Sequence, residues 1–344
     1  MAADSMEAGE DWESVTPSNI YPFIIYQQKR GLSFHCLFFL YLAAKSILMK
    51  KFFVFVFSLQ LSSMAVIAQD DLGSIEKGFQ KILKNTTGVP YGNNKAAGKY
   101  YNIRDFKMYC EVYGTGKPLL LIHGNGGSIS HFVHQIPYFS KKYKVIVADS
   151  RAQGKSTDNG DSLTYEMMAD DYAALLEAMK IDSAYVIGWS DGGINGLLMA
   201  IRHPEKIKKL AATGANLVPD TSAIPQEISD IFTPTYNALR QMPDKNEMEK
   251  GGYKLLRLLV EQPHIPLTDL QTIHCPTLVI GGDHDVIKEE HTMLIYKNIP
   301  RAYLWILPNS GHSTLAVYKD DFNKTVDKFF SSPYRVMKTI DRVF

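Results

Sequence analysis

Hydrophobic runs recur along the middle and end of the chain, and stretches with helical spacing separate them. Pro118–Ile122, the run within Lys144–Ala148, Ala184–Ile187, Leu210–Thr213, Thr277–Ile280 and Ala302–Ile306 are short and almost continuously apolar. Runs of that length without polar alternation predict strands buried on both faces, as in a parallel sheet. Ahead of them, Lys99–Ile103 and Phe106–Tyr113 predict an antiparallel pair joined by a turn at Arg104 and Asp105. Tyr165–Met179 predicts a helix, with Met168, Tyr172, Leu175, Leu176 and Met179 on one face. Phe132–Tyr138 and Gly193–Ala200 predict two more helices. The expected fold class is α/β: a mostly parallel eight-stranded sheet flanked by helices.

The alternation breaks between 217 and 268, a stretch carrying Pro219, Pro225, Pro234, Pro243, Pro263 and Pro266. Helical spacing near Ile228–Met242 and Met248–Glu261 predicts a small helical cap inserted after the sixth strand. The core then spans 98–216 and 269–332. Tyr236, Leu239, Met242, Leu255, Leu258 and Leu259 either face a pocket under the cap or pack as its core. A cap of this size roofs a small-molecule cleft and excludes water from it.

Candidate chemistry sits where these runs end. Ala184–Ile187 leads into Gly188-Trp189-Ser190-Asp191-Gly192, a Gly-x-Ser-x-Gly pattern between a strand and a helix. That context makes a sharp turn presenting the serine as a nucleophile. An unassisted hydroxyl is a poor nucleophile, so a base must take its proton. Downstream, Thr277–Ile280 ends in Gly281-Gly282-Asp283-His284-Asp285, and Ala302–Ile306 is followed by Pro308-Asn309-Ser310-Gly311-His312. His312 is the candidate base. Asp285 or Asp283 is the acid that orients it.

This chain order, with Pro118–Ile122 delivering His123-Gly124-Asn125-Gly126-Gly127, resembles the α/β-hydrolase superfamily from about Tyr100 to Phe330. Gly188–Ile194 and Gly214-Ala215-Asn216 are similar to its biphenyl-hydrolase-like, or valacyclovir hydrolase, branch. The loop Ser150–Ser156 also resembles the family's loop at that position. The resemblance implies a triad of Ser190, Asp285 and His312, because the family's Gly-x-x-Asp spacing from Gly282 selects Asp285 over Asp283. It implies an oxyanion hole from the main-chain N–H groups of Asn125 and Asp191, the Asn125 side chain being incidental. Trp189, Asp191 and Asn216 are the substrate-contact candidates. In that branch the acid after the serine holds a substrate α-ammonium group. The other reading of Asp191 is a first-turn carboxylate favoured by the helix dipole. His123 is expected to be structural.

The implied activity is acyl transfer to water from a small carboxylic ester, thioester or amide, with no cofactor and no metal. Serine at 190 argues against halide displacement and epoxide opening. A carbon–carbon bond hydrolase or perhydrolase keeps the same triad, and a non-catalytic ligand-binding protein on a hydrolase fold is the third reading.

Composition narrows this further. Lys+Arg 37 against Asp+Glu 36 gives a net charge of +1, so no global field favours nucleic acid. Local basic runs at 141–144 and 206–209 are expected to be solvated loops. No phosphate-binding loop, metal-spaced cluster or internal repeat is evident. Cys110 and Cys275 fall in or beside strands, where buried thiols are expected, and Cys36 lies in the N-terminal region.

That N-terminal region is of a different kind. Met49-Lys50-Lys51, the apolar Phe52–Leu59 stretch and the small-residue end at Ala68 form a signal-peptide pattern over 49–68. Residues 1–48 then read as an upstream extension and 69–97 as a linker with a short helix near Ile75–Lys84. With translation starting at Met49, export to the periplasm or medium is expected, with no stable membrane association once the chain is cleaved after Ala68; with a start at Met1, Phe52–Ala68 reads instead as an uncleaved anchor. The oligomeric state is not legible.

Overall fold

The structure, a computed structural model, describes residues 74–343 apart from 76 and 159. The upstream extension expected at 1–48, the signal peptide expected at 49–68 and residues 69–73 of the expected linker lie outside the described residues.

Eight strands form one sheet in the order β1-β2-β4-β3-β5-β6-β7-β8. β1 (Gly98–Ile103), β2 (Phe106–Tyr113) and β4 (Tyr143–Ala148) pair antiparallel in that order. β3 (Lys117–Ile122), β5 (Ala184–Trp189), β6 (Ile207–Thr213), β7 (Thr277–Gly282) and β8 (Ala302–Leu307) complete a parallel set with β4. The continuous apolar runs follow from this, because each central strand buries both of its faces. Leu120 and Ile122 of β3 enter one core layer with Val186, Leu210 and Val279. Leu119 and Leu121 enter the other with Ile187, Ala211 and Leu278.

Helices cover both faces. α1 (Tyr165–Ala178) starts at Thr164, whose side chain accepts the Met167 N–H, and it packs with α2 (Asp191–Arg202) on the first layer. The second layer is closed by the last long helix, Lys319–Ser331, through Phe322, Val326 and Phe330. The helix expected over Phe132–Tyr138 is instead two short turns, Ile129–Phe132 and Ile136–Phe139. Pro137 in the first turn of the second and a helical run of only four residues explain the break.

The cap consists of α3 (Gln226–Gln241) and α4 (Glu247–Glu261), the latter opened by a capping box of Asn246 and Glu249. The ends of the insertion meet where the Ile265 N–H donates to the Leu217 carbonyl at 2.9 Å. Tyr236, Leu239, Leu255 and Leu258 are buried, while Met242 and Leu259 are half-buried. Leu255 and Leu258 of α4 join the first core layer, whereas Tyr236 and Leu239 are the only buried positions of α3. α4 is therefore the docked helix of the cap.

The linker reading fails for 74–97. Residues 74, 75 and 77–82 are helical, as expected near Ile75–Lys84, but Phe79, Leu83, Val89 and Tyr91 pack into the second core layer. The anchor is Glu111 of β2, fully buried. Its carboxylate accepts from the N–H groups of Gly92 and Asn94 at 2.9 and 2.8 Å, and from the Tyr109 and Tyr113 hydroxyls at 3.0 and 2.7 Å. A polar, Gly/Asn-rich segment looks like a linker because its hydrogen bonds end on a side chain 17 and 19 residues away.

The basic runs are also not simply solvated. Lys142 Nζ donates to Asp327 at 2.5 Å. Lys209 Nζ donates to the Phe329 and Phe330 carbonyls at 2.8 and 3.1 Å, and to that of Ser332, capping the last helix. Cys110 and Cys275 are free and buried. Among the described residues no helix is long and apolar enough to cross a membrane.

Glu111→Ala leaves four donors, two buried and two half-buried, without their acceptor, and it should destabilise the protein by about 2–4 kcal/mol. Guanidinium denaturation reads this as a lower midpoint at unchanged slope. A midpoint equal to the wild type would show that the arm at 74–97 is held by packing alone.

Candidate active site

β5 ends at Trp189 and α2 begins at Asp191, leaving Ser190 alone at the turn with φ 58° and ψ −121°. A non-glycine residue held there costs about 1–3 kcal/mol and persists only when its surroundings fix it. They do: the Ser190 N–H donates to the Thr213 carbonyl at 2.9 Å, and the Ser190 carbonyl accepts from Gly193 and Ile194 at 2.7 and 3.1 Å. Gly188 and Gly192 are required by the crowding. A Cβ on Gly188 would stand 2.0 Å from the Gly192 carbonyl oxygen, and one on Gly192 would stand 1.9 Å from that of Ile122.

The loops after β7 and β8 bring an acid and a base to this serine. His312 Nε2 lies 2.9 Å from Ser190 Oγ, and His312 Nδ1 lies 2.6 Å from Asp285 Oδ1. Two main-chain N–H groups, of Gly282 and Ile287, donate to the Asp285 carboxylate at 3.3 and 3.2 Å. Burial pushes the Asp285 carboxyl up, but the His312 charge and these hydrogen bonds outweigh it and hold it below the usual range. For His312, burial disfavours the imidazolium, yet the charge and hydrogen bond of Asp285, with the charge of Asp191, hold it above the ordinary histidine value. Asp283 sits elsewhere. It accepts from the N–H groups of Asn309 and Ser310, both at 2.9 Å, and pairs with exposed His284, so it braces the loop that carries His312.

Facing the serine, Gly124 of the loop after β3 lies so close that a Cβ on it would be 2.9 Å from Ser190 Cβ. The next N–H, that of Asn125, and the first N–H of α2, that of Asp191, are the candidate oxyanion donors. Helix geometry leaves the Asp191 N–H without an intrahelical partner. The Asn125 side chain is not incidental, which corrects the sequence reading: Nδ2 donates to Asp191 Oδ2 at 2.9 Å and to the Leu255 carbonyl of α4 at 3.1 Å. The Tyr165 hydroxyl, buried at the start of α1, donates to Asp191 Oδ1 at 2.9 Å. Asp191 is 2% exposed, and burial pushes its carboxyl up to about 6 despite those two donors. Among the described residues no cationic side chain pairs with it.

The other substrate-contact candidates are turned to support. Trp189 is buried, and its Nε1 donates to the His312 carbonyl at 3.0 Å. Its indole meets the rings of Phe79, His131 and His312 at centroid distances of 6.0, 5.7 and 6.2 Å. Asn216 is buried, and its Nδ2 donates to the Val218 carbonyl at 2.9 Å. His123 is structural, as expected. Its Nε2 accepts the Ser150 N–H at 2.9 Å while Nδ1 donates to the Gly124 carbonyl, and burial lowers it to about 3.

Sequence reasoning missed Tyr165, Phe79, the Asn125 amide and Arg151. The last is buried in the loop after β4, pairing with Asp171, Asp105 and Asp158 at 2.8, 2.7 and 3.6 Å. The arginine was visible within a loop resembling the family's, but its three carboxylates are scattered along the chain. Among the described residues no group of three or more His, Cys, Asp or Glu is placed to hold a metal ion. A serine hydroxyl bonded to an imidazole, which is bonded in turn to a buried carboxylate, is equipped for attack on a carbonyl carbon.

Comparison with known proteins agrees with this architecture. A family model described as the alpha/beta hydrolase fold matches residues 117–241. The human protein named serine hydrolase BPHL is 27% identical over 244 residues, covering 66% of this chain and 84% of that protein. A 2-hydroxy-6-oxononadienedioate/2-hydroxy-6-oxononatrienedioate hydrolase of Comamonas testosteroni is 24% identical over 281 residues, covering 70% and 98%. Among solved structures, a hydrolase from Pseudomonas aeruginosa superposes with a TM-score of 0.60 at 20% identity, over 70% of this chain and all of that one. With its eight strands in this order and the loops that follow them brought together at one edge, the chain has the α/β-hydrolase fold, and it is a hydrolase.

Proposed function

We propose that the protein is a serine hydrolase that cleaves a small carboxylic ester through an acyl-enzyme on Ser190. The observation that carries this reading is the unbroken hydrogen-bond chain from Ser190 Oγ through His312 to Asp285. His312 Nε2 takes the hydroxyl proton as Oγ attacks the carbonyl carbon. The carbonyl oxygen becomes an oxyanion between the N–H groups of Asn125 and Asp191. The C–O bond to the alcohol then breaks as His312 returns the proton to the leaving oxygen. Water, deprotonated by the same nitrogen, attacks the acyl carbon and releases the acid and Ser190. Asp285 fixes the imidazole tautomer and stabilises the imidazolium.

A second reading, the α-amino ester, is favoured by Asp191: a carboxylate beside the nucleophile, buried, without a cationic partner among the described residues. A substrate ammonium would supply that charge, and a desolvated ion pair would orient the scissile carbonyl toward Ser190. The dienedioate hydrolase among the relatives cleaves a different substrate class by name. A panel pairing esters with a dienoate ketone separates carbon–carbon cleavage from ester hydrolysis.

Ser190→Ala should abolish fluorophosphonate labelling and lower kcat by on the order of 10⁶, with His312→Ala about as damaging, because the two act as a unit. A folded Ser190→Ala protein that hydrolyses esters at the wild-type rate would sink the assignment. Because His312 must be neutral to accept the proton, kcat/KM should fall as pH drops through its pKa. That limb is expected above the ordinary histidine value, and Asp285→Asn should move it downward while lowering kcat by about 10³–10⁴. An inflection that stays in place in a pH–rate profile speaks against Asp285. Finally, Asp191→Asn should reduce kcat/KM for an α-amino ester at least about tenfold more than for the matching des-amino ester, the loss of one desolvated ion pair. Equal losses on both leave the plain ester as the substrate class.

A further inference from the structure

The two residues whose main-chain N–H groups form the candidate oxyanion hole are joined to each other through their side chains. Asn125 Nδ2 spends one hydrogen on Asp191 Oδ2 and the other on the Leu255 carbonyl of α4. Asp191 is fixed in turn by the Tyr165 hydroxyl on Oδ1. The Leu255 end is held independently by its neighbour. Lys254 Nζ donates to Asp158 Oδ2 at 2.5 Å and to the Gly160 carbonyl, and buried Asp158 also faces Arg151. Leu255 and Leu258 seat the same turn of α4 in the core.

The loop that carries Asn125 needs such a restraint. It reads His123-Gly124-Asn125-Gly126-Gly127, with Gly126 at φ 64°, and glycine-rich backbone is conformationally permissive. An oxyanion donor is useful only within about 2.7–3.1 Å of where the charge develops, so a few tenths of an ångström matter. Within 123–127, Asn125 is the one residue whose side chain reaches both α2 and the cap.

We propose that the Asn125 side chain is a positioning residue that sets the oxyanion hole from the cap, by tying the Asn125 N–H to the start of α2 and to the docked turn of α4. Substrate that seats or disturbs α4 thereby changes the stabilisation of the tetrahedral intermediate as well as the fit of the acyl group. This rests on the acyl-enzyme reading of Ser190.

The test uses an uncharged short-chain p-nitrophenyl ester, with active sites counted by fluorophosphonate titration so that misfolded protein does not contribute. Asn125→Ala is expected to lower kcat by about 10–100-fold with KM within about threefold, a transition-state loss of the size of one weakened donor. Affinity for a trifluoromethyl ketone, which forms a tetrahedral adduct on the serine, should fall by the same factor. Asn125→Ser, too short to span to Leu255, should behave like the alanine variant. Lys254→Ala loosens α4 without touching the loop. It should lower kcat several-fold in the wild type and less than twofold in the Asn125→Ala background, because the link is already cut. Unchanged kcat in both Asn125 variants, or Lys254→Ala effects that multiply with theirs, overturns the bridge while leaving the acyl-enzyme intact. Wild-type protein that takes no fluorophosphonate label overturns the acyl-enzyme reading itself, and this inference with it.

Discussion

The strained turn at Ser190 is the constraint on which the other parts depend. A serine at φ 58° is unfavourable in isolation, and the energy that keeps it there comes from the sheet. β5 is buried along its whole length between β3 and β6, and α2 leaves the turn so close to β3 that only glycine fits at 188 and 192. The strain presents Oγ at the end of the strand and leaves the first N–H of α2 without an intrahelical partner beside it. The candidate nucleophile and a candidate oxyanion donor are thus two consequences of one bend.

Parallel strands send their following loops to one edge, so four sequence-distant segments converge there without special connections. The loops after β3, β5, β7 and β8 supply Asn125, Ser190, Asp285 and His312. Behind this first ring stands a second: buried Trp189 on the His312 carbonyl, half-exposed Asp283 on the loop backbone, and buried Tyr165 on Asp191. These groups fix directions. The charges that matter to the chemistry are confined to Asp285, Asp191 and His312.

Much of this was legible in the chain because it is local. The strand runs, the turn around Ser190 and the break at 217–268 all rest on neighbours in sequence, whereas the choice of Asp285 over Asp283 rests on the family resemblance. What escaped is non-local. Nothing near Gly92 announces that its N–H ends on Glu111, so 74–97 reads as a linker. Asn125 reads as a main-chain donor only, because its partners are 66 and 130 residues away. Trp189 reads as a substrate contact because it flanks Ser190, and Asn216 because its stretch is similar to the valacyclovir-hydrolase-like branch, yet Trp189 Nε1 and Asn216 Nδ2 donate to backbone carbonyls. The fold is carried by repeating local pattern and the site's precision by single long-range bonds, and only the first leaves a periodic trace.

The arm at 74–97 bears on where this domain can be cut. The sheet begins at Gly98, and a boundary drawn there would respect every strand. It would also strip two main-chain donors from the Glu111 carboxylate and remove Phe79 from the indole that braces His312. The unit that recombination, fusion or transplantation must carry intact is therefore some two dozen residues longer than the sheet. A library of chimaeras joined at Gly98 would select against itself before any substrate was offered.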